Sequence, residues 1–166
     1  MKALVWTAPR RAEIQELRDP DPKPDEVVVR VRASGVCGSD LLGYLGKSKK
    51  RVPPLVLGHE IAGEVAAVGS GARDLPIGAA VTILPLHTCG TCRPCRRGRT
   101  NLCPNRLLLG MNLPGGFADA VVASRANVFP VPSGVDALAA SMAEPLATPL
   151  NFFESHVRGP VENAAV

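Results

Sequence analysis

The sequence predicts a mainly β domain with helices at its C-terminal end. Three observations predict it. Short apolar or alternating runs recur between turn residues as far as position 131. The chain carries 16 glycines and 16 prolines in 166 residues, so it turns often. From Asp136 onward alanine and leucine dominate, and the preference switches to helix. Apolar residues make up 46% and aromatics only 4%, so the core must be built from Val, Leu, Ala and Ile.

The elements follow in order. Residues 3–7 (ALVWT) form a first strand. The DPDPKPDE segment after it alternates proline from Pro20 to Pro24 and reads as an extended surface connector. Residues 27–33 (VVVRVRA) open apolar, then set Arg30 and Arg32 outward against Val31 and Ala33 inward, which is a strand pattern. Residues 61–68 and 79–84 are strands separated by the turn GSGARDLPIG. Residues 117–123 and 127–131 close the β-rich part. Helices are expected over 136–143 and 146–157, with Pro149 either in the first turn of the second helix or kinking it.

Composition excludes several classes. No three-residue glycine period exists, and the apolar content suffices for a core, against disorder. The longest uncharged stretch, residues 77–92, is broken by glycines, Pro85 and His87, so no membrane span is expected. The start, MKALVWTAPRR, has too short an apolar region for a signal peptide, which points to the cytoplasm. Net charge is +4, concentrated in Lys47, Lys49, Lys50 and Arg51 and in Arg93, Arg96, Arg97, Arg99 and Arg106. No nucleic-acid module accompanies these clusters, so they read as solvated loops or an anion-steering rim.

Five cysteines divide as four plus one. Cys89, Cys92, Cys95 and Cys103 give C-x2-C-x2-C-x7-C, with Gly90, Pro94 and Gly98 supplying turns. Four thiolates so spaced close a tetrahedron with no open position, which suits a structural zinc. An iron–sulfur cluster is the competitor. Bacterial ligation runs C-x2-C-x2-C-x3-C-P, and Pro104 follows Cys103, but the last spacing here is seven. Cys37 stands alone in GVCGSD, ahead of Gly58, His59 and Glu60. One thiolate plus one imidazole is half of a metal site, although either residue alone is ordinary core or turn chemistry. His87 and His156 read as loop and helix-surface residues, and Trp6 and Tyr44 either line a cleft or pack.

GVCGSD, GHEIAGEVAAVGSGA, the four-cysteine loop, GGFADAVV and EPLA, in that order, resemble the zinc-dependent medium-chain alcohol dehydrogenases. The EPLA motif resembles their sorbitol and threonine dehydrogenase-like branch. The resemblance spans the whole chain and implies a GroES-like, partly open β-barrel with a structural-zinc lobe over residues 1–166. It implies two zinc ions. Cys37, His59 and Glu144 would hold the catalytic ion, and Cys89, Cys92, Cys95 and Cys103 the structural one. Glu60 would be a neighbouring or exchanging carboxylate, Asp40 would fix the His59 tautomer, and Ser39 would take the substrate proton. Thr148 falls where members of the family contact the nicotinamide. A zinc-bound alkoxide of a small alcohol or polyol would pass hydride to NAD or NADP.

Two departures from the family pattern stand out. The position two residues after Asp40, often a relay histidine, is Leu42. No G-x-G-x-x-G fingerprint occurs, and the closing VENAAV resembles the start of the Rossmann domain expected near residue 161. The segment alone is therefore expected to be inactive. The Lys47–Arg51 loop would border the substrate cleft and leaves an anionic substrate open, and an oligomer also stays open. A zinc-stabilised binding module without activity and an iron–sulfur electron carrier are the alternative functions.

Overall fold

Val27, Val28 and Val29 are buried in succession, on both faces of one strand. Such a strand must lie inside a sheet, and β3 (Glu26–Gly35) does. The computed structural model, which describes residues 1–156, places β3 between β5 (Glu60–Val68) and β9 (Ala120–Ser124). Outside β5 come β6 (Ala80–Ile83) and then β10 (Val128–Pro130), giving five antiparallel strands in the order β10-β6-β5-β3-β9. Val27, Val29, Ile61, Val65, Val81 and Ile83 fill its core. A second sheet runs in the order β2-β1-β4, built from β1 (Lys2–Ala8), β2 (Arg11–Glu16) and β4 (Leu55–Val56). A bridge from Ala3 to Ala118 links it to the chain entering β9. The third sheet is the pair β7 (Leu86–His87) and β8 (Leu107–Leu108). The sheets stay open rather than closing into a barrel.

Helices are few: α1 (Gly38–Tyr44), α2 (Arg93–Arg96), α3 (Ala137–Ser141) and α4 (Ala143–His156). Asp136 precedes α3 instead of opening it, and its carboxylate accepts the Ala139 N–H at 2.8 Å. The second helix starts at Ala143, earlier than expected, so Pro149 lies in its interior and not in its first turn. The expected end of that helix at 157 and the strand expected near 161 lie outside the described residues. No helix among the described residues is long and apolar enough to cross a membrane.

A seam of glycines joins the loops beside β5. Gly115 N–H donates to the Val56 carbonyl and Gly116 N–H to the Gly58 carbonyl, at 2.8 and 2.9 Å. A Cβ on Gly115 would overlap the Gly58 carbonyl oxygen, and one on Gly110 would lie 2.7 Å from that same oxygen. Gly115→Ala is therefore expected to destabilise the fold by about 1–3 kcal/mol, the usual cost of overpacking. An unchanged urea midpoint in that variant would contradict this account.

Candidate metal centres and cleft

The β3–β5 ladder ends with Gly35 opposite Glu60. Cys37 follows β3 by two residues, and His59 immediately precedes β5. The ladder thereby brings two distant segments of sequence together. The Cys37 Sγ, a His59 ring nitrogen and a Glu60 carboxylate oxygen all lie within 4.8 Å of one another. Gly35 leaves room for Glu60, since a Cβ there would overlap the carboxylate.

Asp40 organises this cluster. It is 2% exposed, at the third position of α1. Its Oδ2 accepts the Cys37 N–H at 3.2 Å. Its Oδ1 accepts the Gly58 N–H at 3.4 Å and lies 3.2 Å from His59 Nδ1. That last approach is electrostatic rather than an aligned hydrogen bond, because Nδ1 finds no well-directed acceptor. It still turns Nε2 away from Asp40, leaving that ring nitrogen for a metal once its proton is lost.

The Asp40 carboxylate beside the ring, helped by Cys37, raises the His59 pKa to about 9 against the opposing effect of burial. In metal-free protein the imidazolium therefore adds stability below pH about 6.5, and this is lost as pH climbs towards about 9. A metal ion must displace that proton. Calorimetry at pH 7 in buffers of different ionisation enthalpy is expected to show proton release on loading this site, and affinity should rise with pH through the same window.

Ser39 Oγ stands 3.5 Å from His59 Nε2. Arg51, placed by sequence in the solvated Lys47–Arg51 cluster, is instead buried. Lys47, Lys49 and Lys50 are exposed, while the Arg51 side chain is 2% exposed and reaches Ser39 and Asp40. The physical reason is position: Arg51 ends the polar loop and enters the apolar run leading to His59. Sequence reasoning missed it as a residue of the site, and that boundary is the signal that could have found it.

Glu144 lies in the first turn of α4, half-buried. Burial raises its pKa, and it feels the charges of His59, Glu60 and Asp40. It is near the cluster, but Glu60 is the carboxylate within ligand distance of both Cys37 and His59. Glu144 and Thr148 also line a cleft of about 660 Å³ with Thr82, Pro85, Asn101 and Phe129.

The other four cysteines gather in the lobe closed by β7 and β8. Their Sγ atoms lie within 4.8 Å of one another, and Cys103 is fully buried. The N–H groups of Cys92 and Thr91, with the neighbouring thiols, bring Cys89 down to about 6. Cys92 is pushed up to about 12: the Cys95 N–H acts to lower it, but desolvation and the crowding of Cys95, Cys89 and Cys103 prevail. Thiols so crowded oppose one another's ionisation, and a divalent cation relieves the conflict. The donor set fits zinc. Arg93, Arg96, Arg97, Arg99 and Arg106 are all exposed on this lobe. His87 falls in β7, not in a loop, and is half-buried, which lowers its pKa. Trp6 and Tyr44 pack around an apolar recess between β1 and α1. The His156 side chain lies outside the described residues.

The sequence profile of the alcohol dehydrogenase GroES-like domain family matches residues 23–133. The chain belongs to this family. Across its full length, this GroES-like domain is 35% identical to L-threonine 3-dehydrogenase of Pyrococcus abyssi, covering 48% of that protein. It is 39% identical to sorbitol dehydrogenase of Bacillus subtilis, over 89% of the chain and 43% of the relative. The fold matches a Sinorhizobium meliloti 1021 dehydrogenase described as zinc-binding and solved with NADP. That match has a TM-score of 0.86 and 36% identity, and covers 93% of this chain and 45% of the other. The GroES-like domain thus spans somewhat under half the length of the relatives it matches.

Proposed function

We propose that this GroES-like domain is the catalytic part of a zinc-dependent alcohol or polyol dehydrogenase. The observation that carries the reading is Asp40, which binds the Cys37 backbone and stands against His59, holding thiol and imidazole on one carboxylate-flanked point. Cys37 and His59 would hold the catalytic zinc, with Glu144 completing the set in the assembled enzyme and Glu60 as the exchanging carboxylate. Cys89, Cys92, Cys95 and Cys103 would hold the structural zinc. Zinc in the first site supplies a Lewis acid that lowers the pKa of a substrate hydroxyl. Ser39 takes the substrate proton, and the Glu144–Thr148 cleft admits the nicotinamide of NAD or NADP. Threonine and sorbitol dehydrogenases among the relatives support secondary alcohols and polyols as the substrate class.

The test is metal counting. The wild type is expected to bind two zinc ions and Cys37→Ala one, with thermal stability nearly unchanged. A single zinc that survives Cys37→Ala would leave only a zinc-stabilised binding module. Glu144→Ala should weaken the second ion by about 10–100-fold or more, at least the scale of a lost supporting contact. If instead Glu60→Ala does so and Glu144→Ala does not, Glu60 is the third ligand.

A further inference from the structure

Arg51 is a buried cation beside the Cys37–His59 cluster and is not one of its ligand candidates. Burying a guanidinium is costly unless its donors are met. Nε donates to the Gly110 carbonyl at 2.8 Å. Nη2 donates to Ser39 Oγ at 3.2 Å and to Asp40 Oδ1 at 3.4 Å. Helix α1 is notched to admit this side chain: a Cβ on Gly43 would lie 2.6 Å from Arg51 Cδ.

A guanidinium only donates. Ser39 Oγ must therefore accept from Arg51, and its single proton is turned away from Arg51. The other polar group against Oγ is His59 Nε2, on the side of the metal-ligand cluster. We propose that Arg51 is the positioning residue for proton transfer at this site: its guanidinium, pinned by the Gly110 carbonyl, sets the Ser39 hydroxyl to face the Cys37–His59 cluster. The inference rests on the dehydrogenase reading above and assigns a role that reading leaves open. Residue 42, where a relay side chain would stand, is an exposed leucine with no proton to give. Arg51 does not lose its proton in proteins, so it orients and polarises Ser39 and carries nothing itself.

The test uses protein loaded with cobalt(II) in place of zinc and 2,2,2-trifluoroethanol as the probe, with its Kd read from the visible cobalt bands. Arg51→Met is expected to keep both cobalt ions and raise the Kd about 10–100-fold, the scale of a hydrogen bond to a charged group. Ser39→Ala should do the same. The double variant should be no more than about twofold worse than Ser39→Ala, because Arg51 acts through Ser39. Arg51→Lys, which keeps the charge but loses the fork, should fall between wild type and Arg51→Met. Gly43→Ala, which displaces Arg51 without altering it, should raise the Kd with both ions retained, and it decides the matter if Arg51→Met does not fold. A Kd within twofold of wild type in Arg51→Met or Gly43→Ala, or effects that multiply in the double variant, overturns the role of Arg51. A wild type that takes up no cobalt outside the four-cysteine lobe overturns the dehydrogenase reading itself, and the role of Arg51 with it.

Discussion

A polypeptide of these 166 residues, loaded with zinc, is expected to oxidise alcohols with NAD or NADP at no useful rate. Hydride transfer needs the nicotinamide ring about 3–3.5 Å from the substrate carbon. Dinucleotides are usually held by a glycine loop between a strand and a helix, where backbone N–H groups meet the pyrophosphate. The glycine-rich turn at Gly69–Gly71 is not that device. It joins β5 to β6, two antiparallel strands, and its N–H groups are spent on the Glu26 and Pro24 carbonyls. On the proposed reading the Glu144–Thr148 cleft would offer one wall for the ring, and its described lining carries no cation for the phosphates. Positioning is worth roughly 7–11 kcal/mol in favourable cases, so its loss removes many powers of ten in rate. Joining these residues to the nucleotide-binding half of a relative should restore turnover of polyols or secondary alcohols, and Ser39→Ala should then suppress it. Steady NAD(P)-dependent turnover by the 166-residue polypeptide would refute the assignment of the cofactor site.

The second large effect is expected at the cysteine lobe. Cys92→Ser should cost one zinc ion and most of the order between residues 86 and 106. Between Cys89 and Arg106 only Cys103 is buried, while Leu102 is 54% exposed, so no apolar core exists there to survive the metal. The β7–β8 pair at its base is two residues long on each side. Asn127, which donates to the Leu84 and Leu86 carbonyls at 2.7 and 2.9 Å, fastens that base to the main sheet but reaches no further. On the zinc reading, metal binding would supply the folding free energy of the lobe, a quantity of about 10–16 kcal/mol in small zinc-folded peptides. Zinc and four thiolates together would carry a net −2, which the five exposed arginines of the lobe would offset. Trypsin should cut Cys92→Ser rapidly between Arg93 and Arg106 while leaving the five-stranded sheet intact. Retention of both ions and of trypsin resistance would show that the lobe folds without its metal.

The strands that carry the core were legible in the sequence, because buried β3 and β5 announce themselves as apolar runs. The elements that escaped have weak signals for stated reasons. β2 is an edge strand with Ile14 66% exposed, so neither face shows an apolar period. Helix α1 is seven residues long and contains two glycines, and its first turn is fixed by Asp40 rather than by propensity. The four-cysteine loop was readable from local spacing alone. Cys37 and His59 were not, since only the β3–β5 pairing unites them, and the family resemblance supplied what spacing lacked. Glu144 was named from the EPLA motif alone: α4 brings it within the field of His59, while Glu60 reaches the Cys37–His59 cluster simply by following His59 in the chain.

The glycine seam around Gly58 decides how this site is free to diversify. His59 is set in place where backbone crosses backbone, with the Gly58 carbonyl pressed against Gly110 and Gly115 and the Gly110 carbonyl in turn anchoring Arg51. Asp40 and Ser39 set the ring and could be varied together, but the backbone that carries His59 is wedged against other main chain, which offers compensating changes little to act on. On the proposed reading, adaptation to new substrates would be channelled to residues facing the cleft, such as Thr82, Asn101, Phe129 and Thr148, while positions 58, 110 and 115 strongly favour glycine. A saturation library over these seven positions would return variety at the first four and near-uniform glycine at the other three, an evolvable rim around an inflexible pivot.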